Sequence, residues 1–208
     1  MKKLYIAIVL MSLSLAAQAQ FKMPKVPGVS TGGGGDLTGA QGQLADQYTA
    51  ANKDVLDGDA RIYDALGLKD QAAQARAERA ALDSGATVGN LQDQDKYRRD
   101  NQPAVDAAFK NPPEMDDKAK ASYKEGMIFL AKGLLKYAGM QSGVTSFGNS
   151  LHSASPDMAP KLRLGAYIVK EFPHNAKHLS QTLHDAVAYA KAHDIAVPPD
   201  ATNALGSM

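Results

Sequence analysis

One run of residues constrains this chain more than any other. Ala119, Tyr123, Met127, Leu130, Leu134, Tyr137, Gln141, Val144, Phe147 and Leu151 recur at intervals of three and four. That is the spacing of one face of an α-helix, sustained for about nine turns. Between Met127 and Leu135 the residues Ile128, Phe129, Ala131 and Leu135 widen the face nearly all round, with Lys132 and Gly133 as the main interruptions. A helix this apolar has to be surrounded, so the run predicts a bundle built on a long central helix near residues 116–152.

The flanking segments repeat the pattern more weakly. Leu37, Leu44, Tyr48, Ala51 and Val55 fall seven, four, three and four apart and share one face of a first helix. Asp57-Gly58-Asp59 reads as the place where it stops or bends, because glycine costs about 1 kcal/mol in a helix interior and the carboxylates suit a cap. A calcium loop there would need oxygen ligands at alternating positions through about a dozen residues, and Ala60, Arg61 and Ile62 occupy that ground. Ile62, Tyr63 and Leu66 resume the apolar face up to Gly67.

Asp70 to Leu82 is rich in good helix formers, with an alanine face that packs closely and buries little area. Val88, Leu91 and Tyr97 open a further stretch, and Pro103 reads as a fresh helix start ahead of Val105, Ala108 and Phe109. Asn111-Pro112-Pro113 is the clearest internal break. Beyond the long helix, Leu162, Ala166, Val169 and Phe172 form a face that Pro173 is expected to stop, and Leu179, Leu183, Val187 and Ala190 make the last strong helix. There is no alternating strand pattern of useful length and no internal repeat. The expectation is an all-α bundle of about five to seven helices spanning residues 37–195, with 196–208 as a C-terminal tail opening on Val197-Pro198-Pro199.

Before that domain the chain carries a different kind of signal. Met1, Lys2 and Lys3 precede an apolar stretch from Leu4 to Leu15, and Ala17-Gln18-Ala19 supplies the small residues of a cleavage site before Gln20. This is the pattern of a bacterial export peptide over residues 1–19, since a dozen apolar residues fall short of the roughly 20 that span a bilayer. Residues 20–36, with Pro24, Pro27 and the run Gly32 to Gly35, read as a flexible leader; no Gly-Lys-Ser/Thr follows to make the glycines a phosphate loop. The expected location is the periplasm or the extracellular medium, with no stable membrane span after cleavage. The chain has no cysteine, so neither disulfides nor a cysteine-linked lipid enter the argument.

At 208 residues, 44% hydrophobic and 22% charged, the chain can bury one substantial core. Its net charge moves from +1 to −1 once Lys2 and Lys3 are removed, which gives nucleic acid nothing to bind. Lys96, Arg98 and Arg99 alternate with Asp95 and Asp100 and read as a solvated face.

Two constellations stand out as candidate sites. His174 and His178 are four apart, so on one helical turn both imidazoles could meet a single Zn²⁺, Cu²⁺ or Ni²⁺, with Glu171, Asp185 or His152 as third ligand. Against this, Pro173 places His174 where it would precede the helix proper. The second is the long helix itself. Gly126, Gly133, Gly139, Gly143 and Gly148 point to close helix packing, while Met127, Leu130, Leu134, Tyr137, Val144 and Phe147 would face a partner or an apolar ligand if the helix lined a groove.

No Gly-x-Ser-x-Gly, metalloprotease or paired-carboxylate motif gives the chain an enzyme's signature. The leading expectation is therefore a non-enzymatic exported protein that binds a protein partner, which an apolar patch exposed along Met127 to Phe147 would favour. The alternative is a carrier of a lipid or another apolar small ligand inside the bundle, which a buried cavity would favour. A third reading is metal binding through the C-terminal histidines.

Overall fold

The computed structural model describes residues 37–207; the export-type segment 1–19 and the leader 20–36 lie outside the described residues. The described chain is all-helical, with six α-helices: α1 (Leu37–Ala65), α2 (Lys69–Ala81), α3 (Val88–Lys110), α4 (Asp117–His152), α5 (Arg163–Ala192) and α6 (Pro199–Leu205). Short 3₁₀ turns at Leu82–Ser84 and Pro156–Met158 follow α2 and α4. Among the described residues there is no strand, and no helix is long and apolar enough to cross a membrane.

At 36 residues, α4 is about 54 Å long and is the spine of the bundle. Asp116 caps its start, accepting from the Ala119 amide at 2.7 Å. The α1–α4 pair is the most extensive in the protein, and α5 and α6 cover other faces of α4. The closeness of α1 and α4 comes from small residues: a Cβ placed on Gly133 would stand 2.6 Å from a Val55 methyl and 3.3 Å from the Ala51 carbonyl oxygen. Aromatic rings fill the wider gaps. Tyr137 packs between Tyr48 and Phe172, with ring centroids 5.5 and 5.3 Å away, and Tyr189 stacks between Tyr123 and Phe109 at 5.2 and 4.9 Å.

Four local expectations are corrected. Asp57-Gly58-Asp59 lies inside α1, which runs unbroken from Leu37 to Ala65, because the missing side chain of Gly58 lets α4 approach rather than ending the helix. Pro103 lies inside α3 and Pro173 inside α5. Both prolines sit on the exposed face, where the carbonyl deprived of its amide partner can be hydrated, while buried neighbours such as Asn101 and Val105, or Phe172 and Ala176, hold the helix to the bundle on either side. His174 is consequently a mid-helix residue and does not precede the helix. Finally, the segment read as a tail contains α6, whose Ala201 and Ala204 are fully buried.

Candidate functional site

The apolar registers of α1, α3 and α5 each carry polar residues where a core would take aliphatic ones. On α1 the stripe Tyr48, Asn52, Val55, Asp59, Ile62 repeats at four, three, four and three; on α3 it is Leu91, Gln94, Arg98, Asn101, Val105; on α5 it is Ile168, Phe172, Asn175, Leu179, Thr182. The fold brings these stripes together. Asn52, Asp59, Gln94, Asn101 and Asn175 are the buried polar residues of the described chain.

Most of this belt is hydrogen-bonded to itself. Arg98 donates to Asn52 Oδ1 at 2.6 Å and lies 3.4 Å from Asp95 Oδ1. The Tyr137 hydroxyl donates to the same Asn52 oxygen at 3.3 Å, and the Asn52 amide donates to the Tyr48 carbonyl at 2.9 Å. Asn175 Nδ2 reaches the Tyr48 hydroxyl at 2.7 Å and Asp95 Oδ1 at 3.2 Å, and Tyr167 donates its hydroxyl to Asp95 Oδ2. Polar groups taken out of water have to find partners of this kind, and the network ties α1, α3, α4 and α5 to one geometry, although Gln94 Nε2 is buried without one.

Beside the network opens a cavity of about 290 Å³. Val55, Ile62, Phe109, Leu179 and Ala186 give its wall an apolar side, while Asp59, Arg98, Gln102, Asp106, His178, Gln181, Thr182 and Asp185 give it a polar one. The carboxyl of Asp59 is pushed up to about 7, chiefly by burial and against the pull of Arg98. The imidazole of His178 is pushed below its ordinary value, first by burial and then by the Arg98 charge, so it is neutral at neutral pH.

The histidine pair has the expected spacing. His174 and His178 are both on α5, with ring centroids 6.5 Å apart and tilted by 38°. His174 is exposed while His178 turns toward the cavity. The proposed third ligands are elsewhere engaged: Glu171 pairs with Lys170 at 2.9 Å, and Asp185 accepts from Gln181 at 2.8 Å. His152 lies at the far end of α4. Among the described residues no three histidines, aspartates or glutamates are grouped to hold a metal ion.

The residues proposed to meet a partner or apolar ligand along α4 are placed differently. Met127, Leu130, Leu134, Tyr137, Val144 and Phe147 are all buried in the core. The one large apolar side chain that stands exposed among the described residues is Leu135, at 37%. Of the six, only Tyr137 reaches the cavity wall.

A six-helix bundle with a polar-lined internal cleft is the class that the fold and site define. Comparisons with family models, with curated proteins and with solved structures find no match for the chain.

Proposed function

We propose that this protein is a non-enzymatic carrier that holds a small amphipathic molecule in the cleft between α1, α3 and α5, acting in the periplasm or outside the cell. The cavity carries this reading. Its volume, about 290 Å³, lies just below the range of about 300–1,000 Å³ typical of ligand pockets, and its wall mixes apolar side chains such as Val55, Ile62, Phe109 and Leu179 with a comparable share of polar and charged ones, the composition that suits a small amphipathic molecule. A protein partner remains the second reading; the α4 residues Met127, Leu130, Leu134, Tyr137, Val144 and Phe147 are buried in the core, so such a partner would meet other side chains. The export reading is supported by the residues of 1–19 alone.

Native mass spectrometry of the protein, isolated untagged from the cells that make it, tests the proposal. A dissociable adduct of small-molecule mass is expected in the wild type and not in Thr182→Trp, which fills the cavity from its α5 side. An adduct that survives the filled cavity would place the ligand elsewhere and end the reading.

A further inference from the structure

The two carboxylates of the polar belt are treated differently by the fold. Asp95 accepts from Arg98, from Asn175 and from the Tyr167 hydroxyl. Asp59 is only 5% exposed and lies on the cavity wall, yet among the described residues no donor hydrogen-bonds to it and no cation forms an ion pair with it. The backbone and neighbours of Asp59 bury the residue, but no group of the protein donates to its carboxyl, whose open side is the cavity.

The remaining charges on the wall deepen the imbalance. Arg98 is the sole arginine or lysine there, and its guanidinium is already engaged with Asn52 and Asp95. Asp106 and Asp185 add two further carboxylates, each held by a neighbouring glutamine amide, from Gln102 and Gln181, at 2.8 Å. His178 adds a neutral imidazole. The wall thus carries three carboxyl groups against one arginine already engaged, together with the apolar side chains of Phe109, Tyr63, Ile62 and Leu179.

Resting on the small-molecule reading above, we propose that the cavity selects amines: a primary or secondary ammonium donates to the Asp59 carboxylate while a compact apolar body lies against Phe109, Ile62 and Leu179. The volume is roughly twice the ~150 Å³ that accommodates one benzene in an engineered protein cavity, so a single ring with a short aminoalkyl arm fits within it.

The test is calorimetric titration of the full chain at pH 8, where the Asp59 carboxyl has released its proton and an alkylamine still holds its own, with 2-phenylethylamine and with its neutral isostere 2-phenylethanol, using the wild type, Asp59→Asn and Thr182→Trp. Circular dichroism confirms that each variant is folded. In the wild type the amine is expected to bind at least about tenfold more tightly than the alcohol. Asp59→Asn should remove roughly that factor for the amine and leave the alcohol unchanged, as the loss of one charge-assisted bond requires. Amine and alcohol binding alike in the wild type, or amine binding indifferent to Asp59→Asn, overturns amine selection; loss of both in Thr182→Trp then leaves the small-molecule reading standing. Failure of both probes to bind the wild type at millimolar concentration overturns the two together.

Discussion

Gly58 and Gly126 face each other across the α1–α4 crossing with no room for a side chain on either. A Cβ on Gly58 would stand 2.9 Å from the Gly126 carbonyl oxygen, and one on Gly126 would stand 2.6 Å from Ile62 Cγ1. Two turns along α4, Gly133 repeats the relationship with Val55. The close approach sets where α1 lies, and therefore where Asn52 and Asp59 enter the polar belt.

Alanine at these glycines should therefore destabilise, although alanine is the better helix former. Gly126→Ala is expected to cost about 1–3 kcal/mol, the strain of overpacking outweighing a propensity gain of about 1 kcal/mol. Gly42→Ala is the control. Gly42 is exposed on α1 with nothing within 4 Å of a built Cβ, so its alanine variant should stabilise by about 0.5–1 kcal/mol. Urea unfolding of both variants checks the opposite signs.

The residues of α4 divide just as sharply. Leu134→Ala removes a fully buried side chain and is expected to cost about 2–5 kcal/mol, whereas Leu135→Ala should stay within about 0.5 kcal/mol. Comparable losses at the two positions in thermal melts would mean that α4 is rotated relative to this packing.

Arg98 holds the polar belt through Asn52 and Asp95. Arg98→Leu leaves the Asp95 carboxylate and the Asn52 amide oxygen short of a donor in a largely buried setting, at an expected cost of about 3–5 kcal/mol. A denaturation midpoint that scarcely moves would show that water reaches these groups and that the network contributes little.

Asp59 gives the stability a pH dependence of definite sign. Its carboxyl is raised to about 7 from an ordinary 3.8, so between those values the folded chain holds a proton that the unfolded chain has released. The stability that this proton contributes is complete below about pH 4 and lost as pH rises to about 7, a span on the order of 4 kcal/mol. His178 works in the other direction, its lowered value costing stability as pH falls below about 6.5. Subtracting the Asp59→Asn profile from the wild type isolates the carboxyl: the variant should match the wild type near pH 4 and exceed it by about 2–4 kcal/mol near pH 8. Parallel urea-unfolding profiles would mean that Asp59 is hydrated.

The sequence makes the long helix legible because nine apolar residues and Gln141 keep one helical register without a gap from Ala119 to Leu151. It misreads Gly58, Pro103 and Pro173 for a common reason: local propensity argues for a break, and packing supplied by residues far along the chain outweighs it. The α4 residues were readable as apolar, but core and docking face share the same spacing, and only the positions of α1, α5 and α6 decide between them. The polar belt left a signal in the stripes of α1, α3 and α5, where Asn52, Asp59, Arg98 and Asn175 occupy core positions. What no single stripe contains is their meeting, since Asn175 and the Tyr48 hydroxyl that it bonds are 127 residues apart.

The most direct test of the account is an amide chemical-shift map of the ¹⁵N-labelled protein titrated in turn with 2-phenylethylamine and 2-phenylethanol. The account predicts shifts gathered on the cavity wall, at Asp59, Arg98, His178, Thr182 and their neighbours, and their disappearance in Thr182→Trp. Shifts confined to the exposed surface around Leu135, with the cavity residues unmoved, would contradict it.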